Sequence, residues 1–153
     1  MKKYILILLA AAATNVYGQY TVQKPLNDKN APAWTLVKTS AGTWGCIDKD
    51  GNEVVKPIYQ KIDRFGKHHS NWAMVKSISG TYGFIDNSGK EVVPLIYSKI
   101  YAFGSPEKEL AIVQSVSGFY GLIDGSGKEV VPTVYEKEFL LTNYKALLEK
   151  KGS

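Results

Sequence analysis

Short apolar runs recur along the chain, separated by polar, glycine-rich breaks. Apolar and β-branched residues around Val37, and again around Val75, predict a strand. A glycine-bearing turn such as Ser77-Ile78-Ser79-Gly80 then reverses the chain. A second strand is predicted over Trp44 to Ile47 and over Tyr82 to Ile85. It ends at an aspartate with a glycine three residues later: Asp48 and Gly51, Asp86 and Gly89, Asp124 and Gly127. Aspartate can bond the backbone ahead of it, and glycine accepts a left-handed conformation. A third, short strand is expected at Glu53 to Val55 and its copies, with Pro94 and Pro132 ending its pairing. The stretches Trp72-Ala73-Met74-Val75 and Leu110-Ala111-Ile112-Val113 are apolar on both faces, so each needs cover on both sides.

The pattern is a repeat of 38 residues. Gly42-Thr43-Trp44-Gly45-Cys46-Ile47-Asp48 returns as Gly80-Thr81-Tyr82-Gly83-Phe84-Ile85-Asp86 and as Gly118-Phe119-Tyr120-Gly121-Leu122-Ile123-Asp124. Glu53, Glu91 and Glu129 keep the same offset, as do Tyr59, Tyr97 and Tyr135. Ala146-Leu147-Leu148 is expected to begin the element once more, as a closing strand. Gly45, Gly83 and Gly121 stand inside strands, where glycine is unfavourable unless something approaches closely; an aromatic ring of the next layer is expected there. The expected fold class is all-β: antiparallel hairpin repeats of about 38 residues, stacked as an open, curved array that is solenoid-like or like part of a propeller. A closed propeller typically needs about four to eight blades. Lys150 and Lys151 are expected to guard one open edge.

These copies resemble the WG repeat family, named for an aromatic-glycine pair. The pair is Trp44-Gly45, then Tyr82-Gly83 and Tyr120-Gly121, with the G-x-E-V-V and I-Y elements downstream. Two copies carry Tyr for Trp, the first shifts its proline to Pro57, and the third has Val134 before its tyrosine. The resemblance implies a scaffold of β-hairpins and no particular catalytic activity.

Residues 1–18 read as a signal peptide: Lys2-Lys3, an apolar run from Tyr4 to Ala13, and a small-residue cleavage site ending at Gly18. The run is shorter than the roughly 20 residues a membrane span needs, and no later segment is long and apolar enough either. Export to the periplasm or beyond is expected, and the short, lysine-led leader resembles a bacterial one. Residues 19–32 are polar and aperiodic and are read as a cap or linker; residues 33–153 form the repeat domain, with cores at about 42–79, 80–117 and 118–148. Without Lys2 and Lys3 the formal charge falls from +5 to +3. The lysines are scattered and Arg64 is the only arginine, so no nucleic-acid partner is expected. The single cysteine, Cys46, leaves no internal disulfide and aligns with Phe84 and Leu122 as a core position.

No cofactor or metal is expected. Asp48-Lys49-Asp50-Gly51 departs from a calcium loop, because its glycine is fourth rather than sixth. Gly125-Ser126-Gly127-Lys128 lacks the remaining marks of a phosphate loop. Residues kept in every copy, such as the aspartates and glutamates above, are read as structural, because one active site is rarely triplicated. Residues of a single copy are the better candidates for contact: Arg64, His68, His69 and Trp72, in or beside a basic loop whose counterpart, Gly104 to Glu109, is acidic. Tyr59, Tyr97 and Tyr135 have two readings, as core or as an exposed ladder on which sugar rings stack. The leading expectation is an exported, non-enzymatic binding module for a protein or cell-envelope component. The alternative is a carbohydrate- or peptidoglycan-binding module using the repeated tyrosines. A hydrolase built on His68 or His69 stands third.

Overall fold

A computed structural model describes residues 20–26 and 31–150. The leader reading of residues 1–18 and the edge reading of Lys151 lie outside them. Ten strands form one open antiparallel sheet in chain order. They are β1 (Tyr20–Pro25), β2 (Thr35–Thr39), β3 (Trp44–Ile47), β4 (Glu53–Ile62), β5 (Trp72–Ser77), β6 (Tyr82–Asp86), β7 (Glu91–Ile100), β8 (Leu110–Ser115), β9 (Tyr120–Asp124) and β10 (Glu129–Tyr135), followed by helix α1 (Lys137–Glu149). The fold is therefore the expected open array of antiparallel repeats.

The aspartate turns form as their chemistry requires. Asp48 Oδ1 accepts the backbone N–H groups of Asp50 and Asn52 at 2.9 and 2.8 Å. Asp86 and Asp124 accept the corresponding pairs, and the glycines that follow have φ of +85°, +83° and +86°.

The third strand is not short, and proline does not end it. β4 and β7 each run ten residues, through Pro57 and Pro94. Their first halves pair with the preceding strand and their second halves with the next hairpin. Cys46 pairs with Val55 while Trp44 pairs with Tyr59, so the chain bulges between those pairs. Proline, which has no N–H, is tolerated where the ladder is already broken. This bulge also explains the strand glycines. A Cβ on Gly45 or Gly121 would stand 2.5 Å from the carbonyl oxygen of Val55 or Val131, and Gly83 meets Val93 in the same way. The close neighbour is the bulged backbone, not the aromatic ring expected from the next layer.

The core lies between repeats. Cys46, Val55, Tyr59, Phe65, Ala73 and Val75 of the first repeat pack with Ile85 of the second. Phe84, Val93, Tyr97, Ala111 and Val113 of the second pack with Ile123 of the third. A Cβ on Gly127 would stand 2.5 Å from Val92 O and one on Gly89 would meet Val54 O likewise, so the second and third aspartate turns tuck against the preceding repeat. Cys46 is fully buried, which pushes its thiol up to about 12.

The C-terminal end of the array departs from expectation. Ala146-Leu147-Leu148 belongs to α1 and not to a closing strand. Leu140, Tyr144, Leu147 and Leu148 recur at helical spacing and pack on Ile112, Leu122 and Val131, where a fourth hairpin would otherwise sit. Lys150 caps this helix rather than guarding a strand edge. At the other end, β1 supplies the strand half that a preceding repeat would give. Tyr20 pairs with Thr39 as Tyr59 pairs with Ser77, and its ring is buried with Val37 and Ile47.

Candidate functional site

Three surfaces bear on function. The first is the loop cluster singled out by its residues. Asp63, at the end of β4, receives Lys61 at 2.6 Å, His68 Nε2 at 3.0 Å and Lys67 at 3.2 Å. Burial raises the Asp63 carboxyl, but these three partners outweigh it and hold the group down at about 2. His69 stacks on Trp72 with ring centroids 3.9 Å apart and meets Phe103 at 4.8 Å. Burial lowers its pKa, partly offset by Glu109 of the acidic loop, and its Nδ1 is buried without a hydrogen-bond partner. Glu109 Oε2 and His69 Nε2 both border Gly125, so the basic and acidic loops do converge there.

The candidate contacts thus fall into two groups. Arg64 is exposed, and His68 and His69 are half-buried. Trp72 is buried at the head of β5, against Phe84 at 5.6 Å and Phe103 at 6.0 Å, and is a core residue rather than a loop contact. Tyr59 and Tyr97 are 7% and 3% exposed, and Tyr97 is hydrogen-bonded to Glu129 of the next repeat. Tyr135 is half-buried and stacks on Phe139 at 5.4 Å. These three rings are not an exposed ladder, because the bulge turns Tyr59 and Tyr97 into the core between repeats.

Asp63 makes the stability of this loop depend on pH. Its folded pKa lies below the ordinary 3.8, so its contribution is present above about pH 4 and is lost as pH falls through 2. The stability gap between the wild type and Asp63→Asn is expected to be constant from about pH 5 to 7 and to close below about pH 4. Urea denaturation across that range checks it.

The second surface is a row of exposed aliphatic side chains. Ile58, Ile96 and Val134 share one register position, directly before the repeated tyrosines, and Ile78 and Val116 share another, in the hairpin turns. All five are between 54% and 73% exposed. Tyr59 pairs with Ser77 and Tyr97 with Ser115, so Ile58 and Ile78, and Ile96 and Val116, are the next positions outward on the same strand pairs. The side-chain hydroxyl of Thr81 bonds Leu95 O at 2.7 Å, which brings the turn of Ile78 toward Ile96. In the sequence Ile78 stands in a turn, and Ile58, Ile96 and Val134 simply precede the repeated tyrosines. Their period of 38 was visible, but their outward direction was not.

The third surface is formed by the WG-type aromatics. Trp44, Tyr82 and Tyr120 are half-buried at equivalent positions. Lys38 Nζ lies 5.2 Å from the Trp44 ring centroid, and Lys76 Nζ 5.5 Å from that of Tyr82. Beside them, a groove of about 410 Å³ is lined by Lys24, Leu26, Leu36, Ile62 and Arg64. Another, of about 310 Å³, is lined by Met74, Tyr82, Ser98, Lys99 and Ile100.

Among the described residues, no group of three or more His, Cys, Asp or Glu side chains is placed to hold a metal ion. Among the same residues, no helix is long and apolar enough to cross a membrane. No curated protein matches the chain. The WG containing repeat matches at residues 44–77, 82–115 and 120–137, together more than half of the sequence. The chain belongs to the WG repeat family.

Proposed function

We propose that this protein is an exported, non-enzymatic interaction module that holds a protein partner of the cell envelope along its repeats. The observation that carries this reading is the aliphatic row Ile58, Ile78, Ile96, Val116 and Val134. Residues kept in every copy are ordinarily kept for packing, yet Ile58, Ile96 and Val134, aliphatic in all three, are among the most exposed apolar side chains described. A contiguous exposed apolar strip on a small protein marks an interaction surface. The histidines support the same reading: His68 is tied to Asp63 and His69 is packed between Trp72 and Phe103. These contacts favour a structural part for both histidines over a catalytic one.

The test is a photocrosslinking amino acid at position 96, compared with one at position 49, on the exposed aspartate turn. In cells that make the protein, position 96 is expected to give a discrete heteromeric adduct and position 49 none. Changing Ile58 and Val134 to Ser should abolish the adduct while moving stability by no more than about 0.5 kcal/mol each, as for other exposed sites. Equal adducts from both positions, or none from position 96, would count against the reading. Export belongs to the same proposal, and the processed protein is expected to begin at Gln19, as intact mass would show.

A further inference from the structure

The WG-type aromatics and their grooves suggest a second binding surface, separate from the aliphatic row, so that either can fail alone. Cations gather around these rings in every repeat. Lys38 and Lys76 are the cross-strand neighbours of Trp44 and Tyr82 and sit over them. In the third repeat that neighbour is Gln114, and the cation arrives by another route. Lys137 Nζ lies 5.9 Å from the Tyr120 ring and 5.1 Å from the Tyr101 ring, while Lys99 Nζ lies 4.4 Å from Tyr101. Lys61, Lys99 and Lys137 themselves recur at the 38-residue period, and all three are exposed.

The two grooves share two register positions one repeat apart, while Lys24, Leu26 and Arg64 complete the first and Tyr82, Ser98 and Lys99 the second. Leu36 and Ile62 line the first where Met74 and Ile100 line the second. Each is lined by aliphatic side chains together with basic ones, Lys24 and Arg64 in the first and Lys99 in the second. Asp63, the acid that lines the first groove, already carries Lys61, Lys67 and His68. Both volumes fall within the roughly 300–1,000 Å³ of ordinary ligand sites. At the third equivalent position α1 packs Leu140 against Ile112 and Leu122.

We infer that these grooves form successive subsites for an acidic polysaccharide of the uronic-acid type. The half-exposed aromatic and the aliphatic side chains take the apolar face of a sugar ring, and the lysine ammonium groups take its carboxylates. Lysine is a flexible point charge suited to a carboxylate on a mobile chain, whereas phosphate and base recognition favours arginine. Only one arginine is present. The cations are also sparse for a nucleic acid. Three strands about 4.8 Å apart make a repeat of about 14 Å, against one phosphate per about 3.4 Å of a DNA strand.

Affinity electrophoresis of the processed chain in gels containing polygalacturonate or dextran tests the inference. Retardation by polygalacturonate alone is expected, fading toward about 1 M salt, where charges are screened within about 3 Å. Tyr82→Ala should weaken it about tenfold and Tyr82→Phe hardly at all, since the ring supplies the contact. The double variant Lys24→Gln, Lys99→Gln, at exposed positions that line the two grooves and leave the core untouched, should weaken it by a similar factor and flatten its salt dependence. Polyglutamate or an oligothymidylate competing as well as galacturonate oligomers would overturn the inference, showing attraction to charge alone. Equal retardation by dextran would overturn it, as would a folded Tyr82→Ala or a lysine double variant that binds like the parent.

Discussion

Gly83→Ala is expected to cost about 3 kcal/mol, a large share of the roughly 5–15 kcal/mol that holds a small domain folded. Gly83 has an ordinary backbone conformation, so the cost is steric rather than torsional. The added methyl would meet Val93 O and the backbone of Pro94, groups that cannot rotate aside like the end of a side chain. Moving them would undo the bulge that carries β7 from one hairpin to the next, and with it the placing of Tyr97 in the core. Gly80→Ala is the informative comparison. Gly80 has φ of +91° and open space where its Cβ would be, so alanine there meets only conformational strain, about 1–2 kcal/mol. Guanidinium denaturation of both variants separates the two effects. If Gly83→Ala lost no more than Gly80→Ala, the close approach of the strands would not be what demands glycine.

Leu140→Ala is expected to cost about 2–5 kcal/mol, the range for a fully buried leucine. Leu140 is completely buried against Ile112, Leu122 and Val131, although the neighbouring Phe139 and Leu141 are exposed. In a repeat array each unit leans on its neighbours, so removing a cap exposes the core of the last unit. Hydrogen exchange should therefore accelerate first in β8, β9 and β10 and least in β2 and β3. Leu141→Ala, on the exposed side of the same helix, is expected to stay within about 1 kcal/mol. Similar losses from the two variants, or a uniform rise in exchange along the sheet, would show that α1 is not the cap.

Much of this architecture was legible from particular residues. The aspartate and glycine of each turn announced a reversal whose hydrogen bonds the structure supplies. The three-fold recurrence of Glu129 and its copies argued for a structural role, and Glu129 bonds Tyr97 across a repeat boundary. The ends were harder to read. Tyr20 takes the place of Tyr59 in its strand pair but stands 39 residues before it, off the 38-residue period. Ala146-Leu147-Leu148 matched a strand over three residues, too few to decide between periods of 2 and 3.6.

The sequence by itself determined the repeat, its length, the hairpin turns and the open, all-β character of the sheet, because these follow from local chemistry and from a period that the chain shows three times. Tertiary structure alone decided which recurrent residues face outward. Side-chain direction in a strand alternates, and one bulge shifts every position beyond it. That shift buries Tyr59 and Tyr97 and leaves Ile58 and Ile96 in water. It also took the folded sheet to bring Lys137 over Tyr101 and Tyr120, since a cation and a ring distant in sequence meet only when the strands between them are in place.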